Sequence, residues 1–347
     1  MFFAALVLLS AAVPEYAALP VDPIASTGSW SVALDASLLV WQAQEQGLEF
    51  AAKNNPRFGI SSSIPIDINA SLIGLDFSWQ PAYKVNLEFQ SFGTGWDIDF
   101  RWTGFYSNSS QGATASATTN GSGLLPLWLL PNGNDSANPL FGWAHGEWQL
   151  HLNELDWELG HSFKLTQAIQ LRFFGGLKGL LIEQIYRARY ANGLVASSTG
   201  VISGAATMQN DFWGVGPRCG LRTGWAMTKA WSIQAGSAVS FILSQFHIKR
   251  DDTDVAVTLP STNYVTNTTF KESFWVYRPA FEGLLGIRWD GKVSRYAIAV
   301  EGDYEMQYFW EQNMFLMLVN HSYLYADYPR RGDLMLQGFT GTVRCAF

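Results

Sequence analysis

Residues able to do acid–base or nucleophilic chemistry are few: His145, His151, His161, His247 and His321, with Cys219 and Cys345. No histidine stands in the H-E-x-x-H spacing of a helical zinc site, and no serine stands in a G-x-S-x-G elbow. Two cysteines exclude a disulfide framework and a four-cysteine zinc site. No catalytic residue, cofactor or metal site is expected, and the chain does not read as an enzyme. Arg331–Gly332–Asp333 spells an integrin-type tripeptide, whose plainer role is a turn at Gly332 into the strand that follows. What the sequence offers instead is charge set in alternation with apolar residues. The cations are Arg101, Arg172, Lys178, Arg218, Arg222, Arg278, Arg288 and Arg295; the anions are Asp97, Asp99, Glu282, Glu301, Asp303 and Glu305. Such groups, if they line a passage, select ions when they form rings of one sign and set up a transverse field when opposite signs face each other. Both signs are present, so weak selectivity is expected. Many of these charges would serve as cross-strand ladders that stiffen the wall.

The elements that must position them follow from composition. Hydrophobic residues make up 48% of the 347 and charged residues 15%, against roughly 25% in an ordinary soluble domain. Fifteen Trp, 13 Tyr, 23 Phe and 32 Gly fill the difference. Many aromatics exclude a disordered chain. The net charge of −7 speaks against a nucleic-acid partner. Past residue 13 no apolar run is long enough for a spanning helix, and the mean hydropathy is only +0.03. A transmembrane β-barrel reconciles these values, because its lipid-facing and lumen-facing residues alternate and cancel in any average.

The alternation is explicit. In Ser294–Trp310 one parity carries Tyr296, Ile298, Val300, Tyr304, Met306, Tyr308 and Trp310, and the other carries Arg295, Glu301, Asp303, Glu305 and Gln307. Trp96, Ile98, Phe100 and Trp102 alternate with Asp97, Asp99, Arg101 and Thr103 in the same way. Successive side chains of a strand point to opposite faces, so each segment has one apolar and one charged wall. The phase breaks once, from Trp148, Leu150 and Leu152 to Leu155, Trp157 and Leu159, which predicts a β-bulge near Glu154. Twelve strands are counted, at 33–42, 47–53, 70–79, 83–91, 96–106, 145–161, 168–190, 208–226, 231–249, 272–290, 294–310 and 334–347. The parity of the first third leaves room for others, so an antiparallel all-β outer-membrane-type barrel of even strand number, between 12 and 16, is expected. Short connectors at 164–167, 227–229 and 290–293 read as periplasmic turns; 107–142, 190–207, 250–269 and 311–332 read as long extracellular loops. Leu124–Pro131 (LLPLWLLP) is either a constriction folded into the pore, a contact with a neighbouring subunit or, as preferred, a patch that packs its own loop down. Residues 1–18 read as a secretion signal without the usual basic start, and 19–347 as the barrel.

Several blocks carry a family resemblance. Leu19–Pro23 (LPVDP) resembles the mature start of chlamydial major outer membrane proteins. LLVWQAQEQGLEFA at 38–51, GWDIDFRWTGFY at 95–106, NDFWGVGPRCGLRTGW at 210–225 and RGDLMLQGFT at 331–340 resemble the related Legionella-type pore-forming outer membrane family, as does LNELDWELGHSFKLTQAIQLRFFGGLKG at 152–179. The resemblance implies a porin: passive diffusion of small hydrophilic solutes and ions through the outer membrane, with a structural surface role. The alternative is a plugged barrel acting as adhesin or envelope scaffold. It implies outer-membrane lipids and a homo-oligomer as partners, a trimer among the allowed forms. Phe339, Val343 and the terminal Phe347 resemble the signal read by the barrel-assembly machinery. Chlamydial major porins are rich in cysteine and this chain is not, which puts a disulfide-linked envelope in doubt.

Overall fold

The computed structural model describes residues 30–54, 70–91, 94–117, 122–129, 140–194, 199–258, 262–294, 296–321, 324–329 and 332–347. Residues 1–29, which hold the expected leader and the LPVDP block, lie outside them, as do Arg295 and Arg331. Among the described residues there is no helix. The strands are β1 (Trp30–Glu45), β2 (Ala51–Asn54), β3 (Ala70–Ile73), β4 (Trp79–Ser91), β5 (Trp96–Thr114), β6 (Gly123–Pro126), β7 (Phe141–Lys164) and β8 (Ile169–Gly193). They continue with β9 (Thr199–Ala226), β10 (Trp231–Thr258), β11 (Thr262–Val293), β12 (Tyr296–Asn313), β13 (Leu316–His321), β14 (Leu324–Pro329) and β15 (Gly332–Ala346). Thirteen belong to one antiparallel sheet, and β13 and β14 form a separate hairpin.

The sheet closes on itself. From β7 the order runs β5, β4, β1, β15, β12, β11, β10, β9 and β8, which pairs back to β7. Ten strands therefore make the ring, and β2, β3 and β6 hang beside β7. Closure removes the exposed edges that an open sheet would present for aggregation. The first and last strands meet across it, Val32 and Phe347 exchanging backbone hydrogen bonds of 3.1 and 3.0 Å. At one end the strands are joined by tight turns after Lys164, Ala226 and Val293, where short connectors are predicted. At the other end the strands run further into the predicted loops than the sequence suggests. Predicted loop 250–269 is mostly hairpin, since β10 continues to Thr258 and β11 starts at Thr262.

Alternation sorts the side chains as expected. Phe100, Trp102, Leu177, Val215, Phe241, Leu285 and Val300 are exposed on the outer wall. Along β9 the outward face runs from Trp213 to Trp225, about 12 steps of ~3.3 Å. At a tilt of ~45° that is a height of about 28 Å, close to the ~25 Å apolar band of membrane barrels. Strands of 28 residues, as in β9 and β10, overshoot such a band by more than twofold, and the surplus lies at the loop end.

The expected bulge near Glu154 is absent. β7 pairs in unbroken register with β5 and β8, and Trp148, Leu150 and Leu152 share the inward face with Glu154, Asp156 and Glu158. The inner wall itself changes from charged to apolar at this height. Register shifts occur instead at Val255/Ala256 and Phe309/Asn313. The expected strands at 47–53 and 70–79 also differ. Among the described residues of that stretch β2 and β3 form, four residues each; they pair with each other, and β2 pairs with β6, rather than entering the ring. Their neighbours Leu48 and Phe50 are drawn into the barrel mouth.

Candidate functional site

The lumen is filled in two storeys. The one nearer the turn end is ionic, and strand alternation supplies it: Asp97, Asp99 and Arg101 from β5, Glu154, Asp156 and Glu158 from β7, Arg172 and Lys178 from β8, Arg218 and Arg222 from β9. Arg172 donates to Asp97 (2.5 and 2.9 Å), Asp99 (2.8 Å) and Glu158 (2.9 Å). Arg218 donates to Glu158 and, through Nε and Nη2, to Glu282 at 3.0 and 2.6 Å. Arg101 lies 3.4 Å and Arg222 3.6 Å from the same Glu158. Three of these guanidinium groups stack about the ring of Phe174 at 4.9–5.4 Å. Glu154, Asp156 and Glu282 converge closely enough to hold a cation, and the ammonium of Lys178 sits among them, 0% exposed. Burying unpaired charge costs several kcal/mol per ion, which is why these groups occur as a network.

Across the lumen a looser set completes the storey. Lys84 pairs with Glu305 at 2.5 Å, Arg288 with Glu301 at 2.9 Å and Asp290 at 2.8 Å, and Arg344 with Glu88 and Asp35. The carboxylate of Asp303 packs against Gly286, with one oxygen buried and without a hydrogen-bond partner. Two cavities, of about 120 and 300 Å³, lie here and share Asp35, Asn86, Arg222, Gln234 and Glu301 in their walls. All the predicted lumen charges on described residues thus point inward. Most meet in ion pairs, and only Arg278 stands apart, higher up, pairing with Glu311 at 2.6 Å over the ring of Phe246.

The second storey, toward the loop end, is apolar. Trp148, Leu150, Ile182, Tyr186, Ile242 and Phe246 project inward from the wall, each 0% exposed. They close on loop segments that enter from above: Leu48–Phe50, Leu124–Trp128 and Met314–Leu316. Trp128 packs on Tyr186 at 5.2 Å and Tyr186 on Phe315 at 5.8 Å, edge-on and tilted arrangements that aromatic pairs favour. Wall side chains tether the backbone of these segments. Tyr186 Oη donates to Leu48 O (3.0 Å), Tyr190 Oη to Phe50 O (2.5 Å) and Asn210 Nδ2 to Gln312 O (2.9 Å). Arg250, 1% exposed, donates to Leu316 O (2.7 Å) and Trp128 O (2.6 Å) and holds Asp252 through two bonds. Nearby, burial first and Asp252 second push the carboxyl of Asp254 up to about 6, against the pull of Arg250.

Leu124–Pro131 therefore does more than pack its own loop: Leu124 and Trp128 enter the barrel and join the core. Sequence reasoning missed Arg250, Tyr186 and Phe315. The inward phase of Leu150 and Leu152 was the available signal. His151 faces outward and is half exposed. Phe339, Val343 and Phe347 are exposed on the outer wall. Cys219 is exposed there too, and both cysteines are free.

A family model described as Legionella pneumophila major outer membrane protein precursor matches residues 25–347. No curated protein matches the sequence. Among solved structures, the outer membrane protease OmpT from Escherichia coli aligns over 93% of this chain and 99% of its own, at 12% identity and a TM-score of 0.39. The Pseudomonas putida toluene transporter TodX aligns over 92% and 90%, at 8% identity and a TM-score of 0.34. A Pseudomonas aeruginosa FadL homologue aligns over the same shares, at 9% identity and a TM-score of 0.26.

Proposed function

Since the chain belongs to the Legionella major outer membrane protein family, we propose that it serves as an outer-membrane barrel closed at rest, an envelope protein whose working face is its loop end. One observation carries this reading: at the height of Trp148, Tyr186 and Phe246 the inward side chains are fully buried against the entering loop segments. A standing aqueous passage would leave that wall wet. The short turns belong on the periplasmic side and the overshooting strands outside the cell, in keeping with the general plan of such barrels. Residues 1–18 act as the leader, and Phe339, Val343 and Phe347 as the signal read during insertion.

A second reading, a porin for small hydrophilic solutes, is favoured by the two charged cavities, which offer polar steps from the turn end. It requires the apolar storey to open. Single-channel conductance of the refolded chain in a planar bilayer separates the two. The closed barrel gives no long-lived steps in the wild type, and steps emerge in W128A/F315A, which hollows the plug. Stable steps in the wild type would replace the closed barrel with the porin.

A further inference from the structure

The outer wall carries a row of side chains that the lumen does not use. Strand pairing sets His151 of β7 opposite Glu183 of β8, Glu183 opposite Asp211 of β9, and Asp211 opposite His247 of β10. Four consecutive strands thus present His, Glu, Asp and His at one height, all exposed. The row lies one step beyond Leu181 and Trp213, where the apolar outer face ends. The His151 Nδ1 to Glu183 Oε2 distance is 3.6 Å. Among the described residues no Lys or Arg is paired with either carboxylate. Two basic groups on the same strands are engaged elsewhere, Lys249 with Asp251 and Arg187 with Glu147.

Two adjacent carboxylates without a cation repel each other, and the proximity of Glu183 contributes, after burial, to raising the carboxyl of Asp211. A divalent ion relieves that repulsion. Two carboxylate oxygens and an imidazole nitrogen are the donors that borderline ions such as zinc take, with water in the remaining position. Cross-strand neighbours have Cβ atoms ~4.5–5.5 Å apart, so three adjacent side chains can converge on one ion by rotation about exposed bonds. His151 and His247 stand at opposite ends of the row, so one ion takes both carboxylates and one imidazole.

We propose that His151, Glu183, Asp211 and His247 form a surface site for one divalent transition ion at the outer rim of the apolar belt. The site clips neighbouring strands together and is independent of whether the lumen is open. Spacing along the chain could not reveal it, because each donor is a full hairpin away from the next and only the register aligns them.

The test is zinc titration of the full chain, stripped with chelator in detergent micelles, followed by calorimetry. One saturable site per chain is expected. E183Q/D211N abolishes it. H151A/H247A weakens it by at least the ~10–100-fold that loss of an outer-shell partner costs a metal site. H161N, at the turn end, leaves it unchanged. Retained heat-modifiable migration of each variant shows that the barrel has formed, and zinc raises the unfolding temperature of the wild type but not of E183Q/D211N. Absence of saturable binding in the wild type, or unchanged binding in E183Q/D211N, overturns the proposal.

Discussion

Lys178 occupies the position a metal ion would take between Glu154, Asp156 and Glu282, and among the described residues it is the one cation all three share. Its removal leaves buried carboxylates uncompensated, which typically costs ~3–5 kcal/mol, whereas replacing both members of such a pair is far milder. K178M should therefore lower the urea midpoint of the refolded barrel sharply, and K178M/E154Q should recover part of the loss. Asp254 makes a different prediction. Its carboxyl, at about 6, binds a proton more tightly in the closed crown than in the unfolded chain, where it would titrate near 4. Closure is then favoured by acid, and this contribution is lost as pH rises from about 4 through about 6. Urea midpoints at pH 5 and pH 8 should differ less in D254N than in the wild type, with D254N the more stable of the two at pH 8.

At the level of elements, β8 tests which wall is which. Leu177 points outward midway along the apolar face, and an arginine at the bilayer midplane costs ~2–4 kcal/mol. L177R should lower barrel stability by that amount, measured by urea unfolding in lipid vesicles. Strands such as β8, β9 and β12 were legible because their two parities differ sharply in polarity, and the tight turns between them because connectors there are short. β7 was legible only in its lower half. Trp148, Leu150 and Leu152 look lipid-facing to any reading that equates apolar with outside. They face inward because three loops, remote in sequence, bring an apolar core to that height. Nothing local to β7 announces those loops, so the sequence supports an inserted bulge that the register does not contain. The ion pairs were legible as lining residues but not as partners, since Glu158 gathers Arg101, Arg172, Arg218 and Arg222 from three other strands.

The whole molecule is a tall, narrow ring with an ionic floor and an apolar ceiling, and both are built from pieces far apart in the chain. The seam is the extreme case: Ser37 on β1 bonds Thr342 on β15, 305 residues away, and Trp30–Glu45 finds one of its two neighbours only in the last strand. The ceiling likewise combines segments after β1, around β6 and after β12. Contacts of such separation are slow to form, because the intervening chain must be gathered before they reward it. During folding the first strand must therefore wait, one edge unpaired, until β15 arrives. Until β15 docks, the free edge of β1 is the kind that pairs with a foreign strand, and the seam is what removes it.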